Sequence, residues 1–398
     1  MKVLMINSVC GIRSTGRICT DIAEVLEKEG HEVKIAYGRE TVPEKYKKYA
    51  VRIGSNFGVW LHAICARLFD ASGFCSRIAT KRFIKWVKSY DPDIIHLHNI
   101  HGYYLNVEIL FDYLKKSGKP VVWTLHDCWA FTGHCSHFDF ICCEKWKTGC
   151  VTCPQKLMYP KSFVDRASRN FERKKKSFTG VEKLTIVTPS QWLAELVKES
   201  YLKESNVLVI PNGINRDVFK PTEGNFRKEH SLEGKKVILG VASVWEKRKG
   251  FDDFIKLSEM IDDTYRIVLV GVSENQKKML HSNMIGITRT NNAKELAHIY
   301  TEADVFVNPT YEDNYPTVNL EAIACGTHVI TYDTGGSPES VNKYGGTVVP
   351  KGNINRLVQA VVCVMDNNKQ VKNDICNFDV STLKFAQHYL HAYTVWTN

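Results

Sequence analysis

The chain has 398 residues, 44% of them hydrophobic and 24% charged, a balance that excludes a disordered or low-complexity protein. No apolar run reaches the ~18–20 residues a membrane-spanning helix needs, and the length favours two domains, because single cores rarely outgrow ~250–300 residues. The net charge of +10 is uneven: 32 basic residues face 21 acidic ones up to Ile210, against 21 and 22 beyond it. That excess in the first half predicts an anionic partner: a phosphorylated substrate, an anionic membrane surface or a nucleic acid.

In chain order, "MKVLMINSVCG" has one basic residue, a short apolar run and no cleavage site of the secretory kind. It reads as a first buried strand, and a cytoplasmic location is expected. "EVKIAYG", "DIIHLHN", "VVWTLHD" and "LTIVTPS" are further strands, apolar on both faces. Helical patterns lie between them, among them Thr20–Lys28 and Arg77–Ser89. This alternation predicts an α/β fold with a parallel sheet covered on both faces. "VIPNGINRDVFKPTEGNF", rich in Pro, Gly and Asn, marks a boundary. Residues 1–210 then form an N-terminal domain and 211–379 a C-terminal one, with a last helix at about 380–398 returning to the first. The second half repeats the alternation. Its strands are "KVILGVAS", "RIVLVGV", "MIGIT", "DVFVNPT", "HVITYD" and "GTVVP". Its helices lie near Phe251–Met260, Ala293–Thr301, Thr317–Cys325 and Ile354–Met365. Two such Rossmann-like sheets predict a cleft and ligands at the carboxyl ends of the strands.

Two loops carry chemistry. In "YEDNYPTVNLEAIACG" (Tyr311–Gly326), Asp313 and Asn314 precede Pro316, and a helix is expected to begin at that proline. Its free N–H groups and positive dipole end favour an anion such as a phosphate. Glu321, one turn further in, sits among Leu320, Ala322 and Ile323, where a carboxylate suits a ribose diol; a partly buried glutamate held by a neighbour is the alternative. In "ASVWEKRKGFDDF" (Ala242–Phe254), Lys247, Arg248 and Lys249 follow a strand. Arg248 and Lys249 are placed to neutralise a diphosphate, unless the run is only a basic surface turn. "DPD" at Asp91–Asp93 reads as a turn before a strand rather than a cation site.

These segments together resemble glycosyltransferase family 4, retaining enzymes of the two-domain GT-B fold. "NSVCGIRSTGRICTDIAEVLEKEGHEV", "DPDIIHLHNIHGYYLN", "WTLHD", "VTPSQWLAE", "VIPNGINRDVFKP", "KRKGFDD" and "EDNYPTVNLEAIACGTHVITYDTGGSPE" carry the resemblance in order along most of the chain. Within the family the sequence is similar to transferases of bacterial exopolysaccharide, capsule and colanic acid pathways. The resemblance implies that Asp313 holds the donor sugar and Glu321 the ribose, with Asp where the family more often has Glu. It implies that Lys249 binds the donor diphosphate, that His126 faces the donor sugar, and that Gly16 belongs to a loop near the reacting centre. Gly335 and Gly336 open another loop of close approach. The family's Gly-Arg after the preceding strand is Ala242–Ser243 here, so Arg248 is the substitute expected. The implied donor is a nucleoside diphosphate sugar, with uridine before guanosine. The implied acceptor is a saccharide on a polyprenyl diphosphate, and no metal is required for transfer.

Six of the thirteen cysteines fall between Cys128 and Cys153. Cys150-x-x-Cys153 is half of a zinc site, and Cys135 with Cys143 (chosen over Cys142 by the resemblance) would complete four thiolates. Reduced packing thiols and a redox pair stay open, with His134 and His137 as substitute ligands. Cys10, Cys19, Cys65, Cys75, Cys325, Cys363 and Cys376 read as small packing residues. "RIATKRFIKWVKS" and "FERKKKSF" interleave basic and aromatic residues, as interfacial helices do and as ordinary packed helices also do. With the charge asymmetry, this favours peripheral association with the inner face of the plasma membrane. Two other functions compete: a nucleotide-sugar epimerase of the same double fold, and a zinc-bearing nucleic-acid-binding protein. The Asp313–Glu321 pattern disfavours the first. Only charge and cysteines support the second, so nucleic acid is not an expected partner.

Overall fold

The computed structural model describes residues 1–366 and 381–395. These divide into two compact units, one of Met1–Pro211 joined by the segment from Thr382, the other of Asn212–Ser381. Each unit is a wholly parallel sheet with helices on its faces.

The first sheet has seven strands: β1 (Lys2–Asn7), β2 (Glu32–Tyr37), β3 (Ala50–Arg52), β4 (Ile94–Leu97), β5 (Val121–Thr124), β6 (Leu184–Thr188) and β7 (Asn206–Val209). They lie in the order 3-2-1-4-5-6-7. The central strands β4, β5 and β6 are buried along their whole length, as β-branched runs covered on both faces must be. The first helices are α1 (Arg13–Lys28), α2 (Asn56–Phe69), α3 (Arg77–Tyr90) and α4 (Val107–Ser117). The Ser55 and Asn106 side chains cap α2 and α4 by accepting from the amides of Gly58 and Ile109.

The second sheet has six strands: β8 (Lys236–Val241), β9 (Tyr265–Val270), β10 (Met284–Ile287), β11 (Val305–Asn308), β12 (His328–Tyr332) and β13 (Thr347–Val349). Their order is β10-β9-β8-β11-β12-β13. In both sheets the direction of winding reverses at one point, between β1 and β4 and between β8 and β11. Loops leaving the carboxyl ends of those strands diverge and leave room for a ligand.

Several details differ from the sequence reading. The first helix starts at Arg13, well before Thr20. β3, β7 and α2 were not among the elements expected from the sequence: β3 is three residues long, β7 is a half-exposed edge, and α2 carries its apolar residues outward. Cys363 is exposed, on the outer face of the helix Ile354–Asp366, rather than buried as expected. Cys376 and the last three positions of the expected terminal helix lie outside the described residues. Asp91 ends α3 in a left-handed conformation and pairs with Lys119 at 2.7 Å, while Asp93 accepts from the Lys2 amide at 2.7 Å. Among the described residues, no helix is long and apolar enough to cross a membrane.

The helix Thr382–Thr394 packs against α1 in the first unit. There Tyr393 Oη meets His96 Nδ1 at 2.6 Å, and Thr124 Oγ1 meets both His96 Nε2 and Tyr389 Oη at 2.8 Å. All four side chains are buried. Removing the Tyr393 hydroxyl leaves a buried imidazole nitrogen without its partner, which costs about 1–3 kcal/mol. Tyr393→Phe is therefore expected to destabilise the first unit by that amount in chemical denaturation, with far-UV circular dichroism of the native protein unchanged.

Candidate active site

The second unit concentrates the expected donor residues at its winding reversal. The loop after β8 carries Lys247–Lys249, and the loop after β11 carries Thr310–Asn314. Backbone bonds join them: the Tyr311 amide donates to the Arg248 carbonyl at 2.7 Å, and the Thr310 hydroxyl donates to the same oxygen at 3.3 Å. Gly250 lies at φ 76°, and a Cβ there would sit 2.2 Å from the Pro309 carbonyl oxygen. Only glycine lets the two loops approach this closely. Trp245, buried and donating to the Val270 carbonyl at 2.9 Å, anchors the first loop.

This stitching sets Lys249 Nζ against the Asp313 carboxylate as a half-buried ion pair. Asp313 also accepts from the Asn314 amide at 3.0 Å, and its carbonyl accepts from the Gly336 amide at 3.2 Å. Gly335, at φ 55°, would place a Cβ 2.0 Å from that carbonyl, so the third loop is held as close as the other two. Asn314 is buried. Arg248 is turned to Glu246, at 2.8 Å. Ser243, at the position of the absent family arginine, is exposed.

The helix Thr317–Ala324 starts after Pro316, which has no side chain to cap it. Its first amides therefore lack the side-chain acceptor that most helix starts carry. Glu321 is only 3% exposed and accepts from Tyr300 Oη at 3.2 Å. Asn319, buried beside it, accepts from Asn308 Nδ2 at 2.9 Å and donates to Ser337 Oγ at 3.2 Å. Asn308 and Asn319 went unnoticed in the sequence; a polar residue closing a buried strand was the available signal.

In the first unit, β4 and β5 end in a cluster of imidazoles. His126 Nε2 meets His98 Nδ1 at 3.0 Å with the rings stacked, and the His98 ring lies tilted against His96, with centroids 4.0 Å apart. His101 bonds Asp127 Oδ2 and Tyr159 Oη, each at 2.9 Å. Asp127 is further fixed by the Trp129 amide. Only His126 of this group was singled out in the sequence, although "HLHNIH" and "LHD" contain the others. Gly16 is not in a loop. It lies in the first turn of α1, where it packs on Val9 and its carbonyl accepts from the Gly11 amide at 3.1 Å. The loop glycine is Gly11, at φ 72°.

Cys135, Cys143, Cys150 and Cys153 line one small cavity together with His134. Cys135 donates a hydrogen bond to Cys153, which lowers the Cys153 thiol to about 7. The Gly133 amide donates to Cys150 Sγ at 3.2 Å. His134 Nδ1 bonds Asp70 at 2.6 Å, and its Nε2 is buried without a partner. The donor chemistry suits zinc. The geometry is a hydrogen-bonded thiol pair with neighbours, because among the described residues no three His, Cys, Asp or Glu groups converge to hold a metal ion.

Burial keeps several histidines of the first unit neutral. It lowers His62 and His126 to about 4 and His96 and His98 well below the ordinary value. Burial alone would raise Asp127, but His101 overcomes it and holds the carboxyl below its usual range. For the histidines, the folded value lies beneath the unfolded ~6.5. Their stabilising contribution is complete above that value and is lost as the pH falls from 6.5 toward 4. Asp21, raised to about 7 by burial and then by Glu24, acts oppositely and offsets a part. Urea denaturation between pH 7 and 5 is expected to show falling stability with net proton uptake on unfolding, at ~1.4 kcal/mol per pH unit for each net proton.

Comparison with known proteins agrees with this architecture. The model of Glycosyltransferase Family 4 matches residues 15–218, and that of Glycosyl transferases group 1 matches residues 222–375. WcaC of Escherichia coli K12, provisionally named as a colanic acid biosynthesis glycosyl transferase, is 24% identical over 372 residues, covering 90% of each chain. The N,N'-diacetylbacillosaminyl-diphospho-undecaprenol alpha-1,3-N-acetylgalactosaminyltransferase of Campylobacter jejuni is 26% identical over 219 residues, 50% of this chain and 57% of its own. Among solved structures, sucrose-phosphate synthase of Thermosynechococcus elongatus superposes with a TM-score of 0.71 at 16% identity, covering 99% of both chains. Anabaena HepE in complex with UDP-glucose gives 0.68 at 12% identity, covering 99% of this chain and all of its own. Two parallel α/β units with these neighbours make a GT-B fold, and with a family model spanning residues 15–218 the chain belongs to glycosyltransferase family 4.

Proposed function

We propose that this glycosyltransferase moves a hexose or related sugar, with retention, from a nucleoside diphosphate sugar to a lipid-linked saccharide of a bacterial surface polysaccharide. The observation that carries the reading is the Lys249–Asp313 pair beside an uncapped helix start at the winding reversal of the second sheet. A cation and free amides at one point suit a diphosphate. A carboxylate held against that cation is placed for the sugar hydroxyls.

In this reading the donor diphosphate takes Lys249 from Asp313, which then turns to the sugar. Glu321 accepts from the ribose diol, and Asn314 and the Gly335–Gly336 loop close on the phosphates. Arg248 leaves Glu246 to join them. His126 is assigned to the sugar; its neutral imidazole donates or accepts one hydrogen bond without adding charge to an oxocarbenium-like centre. The anomeric carbon–oxygen bond to the leaving phosphate breaks. The acceptor hydroxyl bonds to that carbon on the same face, and its proton passes to the leaving phosphate oxygen. Lys249 and the helix start counter the negative charge that develops on the leaving diphosphate, so in this reading transfer needs no metal. Zinc, where the four thiols bind it, would brace the loop of residues 128–153; metal analysis of purified protein decides this.

The names of the comparison proteins support the finer choices. The HepE structures hold UDP and UDP-glucose, which favours uridine. The Campylobacter relative is named for an undecaprenyl-diphosphate-linked substrate, and the E. coli relative for colanic acid. A polyprenyl-linked acceptor and a basic first unit fit peripheral association with the inner face of the plasma membrane.

Lys249→Ala is expected to lower turnover about 10²–10³-fold, the usual cost of one donor to developing charge. Glu321→Ala is expected to weaken donor binding by about 1.5–3 kcal/mol. A thermal-shift panel of UDP- and GDP-sugars on wild type and both variants tests this. Stabilisation by one donor, lost in Glu321→Ala, supports the assignment, and wild-type turnover in either variant refutes it.

A further inference from the structure

We propose that the cleft between α2 and α3 binds the hydrocarbon chain of a phosphate-bearing lipid drawn from a membrane leaflet, with α2 lying in the leaflet surface. Naming that lipid as the carrier of the acceptor rests on the function proposed above. The site itself rests on four features of the first unit.

The first is the cleft. Its volume is about 980 Å³, and Val59, Leu61, Phe74, Ile78, Phe83 and Trp86 supply much of its wall. Small-molecule pockets span ~300–1,000 Å³, so this one is at the large end and mostly apolar.

The second is the orientation of α2. Phe57, Trp60, Leu61 and Leu68 are exposed, Phe57 at 67% and Trp60 at 56%. Their spacing, with half-buried Ile64 between them, places them on one face of the helix. Inside, the same helix buries His62 and Ala66. His62 is satisfied there by Ser76 Oγ at 2.8 Å and the Gly73 amide at 3.2 Å. A water-facing helix has the opposite distribution. Arg67 is the single charged residue of α2, leaving histidine aside, and none is acidic.

The third feature is a second group of exposed apolar side chains at the carboxyl end of α2. Phe69, at the end of α2, and Phe163 are both about half exposed, and the Phe163 amide donates to the Arg67 carbonyl at 2.8 Å. Leu157 and Met158 are exposed in the same segment. Exposed apolar side chains gathered at one end of a helix mark an interaction site.

The fourth feature is charge. α3 carries Arg77, Lys81, Arg82, Lys85 and Lys88 and no acid. All five are exposed, and among the described residues none forms an ion pair. Arg77 and Arg82 also line the cleft. An apolar chamber with guanidinium groups at its wall, beside an apolar helix face and a row of free cations, complements a lipid phosphate with its chain. A protein partner would be matched by the apolar face but leaves the chamber and the unpaired cations without a role.

The full-length protein is titrated with farnesyl phosphate, farnesol and inorganic phosphate by calorimetry. It is also floated with vesicles of phosphatidylcholine, with and without phosphatidylglycerol. Farnesyl phosphate is expected to bind one to one, and inorganic phosphate not at all. Ala79→Trp, which fills the cleft, is expected to weaken that binding by tenfold or more, a loss of at least ~1.4 kcal/mol. Flotation is expected to need the anionic lipid and to be lost in the surface variant Phe57→Ser/Trp60→Ser. Stabilisation by a donor nucleotide sugar is measured on each variant as the check of fold and is expected to persist. Equal binding of farnesyl phosphate by Ala79→Trp, or flotation that survives loss of both aromatic residues, would overturn the site. No donor stabilisation in the wild type would instead overturn the transferase specifics and leave the lipid result to stand alone.

Discussion

The second unit depends on one constraint: the loop after β8 and the loop after β11 must touch. Parallel strands on either side of a winding reversal send their connections to opposite faces of the sheet, which opens a gap at their carboxyl ends. Here the gap is bridged at its base. The Arg248 carbonyl takes two donors from the facing loop, and Gly250 gives up a side chain so that Pro309 can come close. Once that contact exists, Lys249 and Asp313 have to meet, because their backbones are already fixed. Gly335 and Gly336 then hold the Asp313 carbonyl from the third side. The ion pair is thus a consequence of backbone packing and needs little stability of its own. A half-buried pair pays for desolvation about what it gains by attraction.

Much of this was legible in the sequence, for a physical reason. Strands covered on both faces have to be apolar throughout, so "DIIHLHN", "LTIVTPS" and "DVFVNPT" declare themselves without any tertiary information. Loops of close approach have to contain glycine, so Gly335 stands out. What escaped obeys other rules. β3 and β7 are short or exposed edges, where pairing with a neighbour rather than composition makes the strand. The resemblance puts Gly16 in a loop; in α1 it is small for the sake of Val9 and Gly11 instead. The imidazole cluster of His96, His98 and His126 needs two adjacent strands in register, which no single segment reveals.

That cluster shows how the first unit handles polarity inside a parallel sheet. His96 is satisfied by Thr124 on the neighbouring strand and by Tyr393 from a helix almost three hundred residues later. The returning helix is therefore part of the polar core of the first unit as well as its cover. It closes a network that begins at β4 and runs through His98 to His126. The same network makes the first unit sensitive to acid, since each histidine it buries has to take up a proton on unfolding.

α2 is the element where local sequence and global fold disagree most, and such conflicts concentrate where function overrides stability. Its composition is that of a core helix, with Phe57, Trp60, Leu61, Ile64 and Leu68 on one side. Its other side, however, is the one buried in the unit, through His62 and Ala66. Turning the helix by half a revolution would bury the aromatic face, but it would expose His62 and break the bonds to Gly73 and Ser76 that join α2 to α3. Those bonds and the cap at Ser55 hold the apolar face outward, at a cost in exposed surface that the isolated protein cannot recover. The cost is recovered only by something apolar outside. The unpaired cations of α3 beside that face limit the choice to a surface that is both apolar and anionic, which is the description of a lipid leaflet.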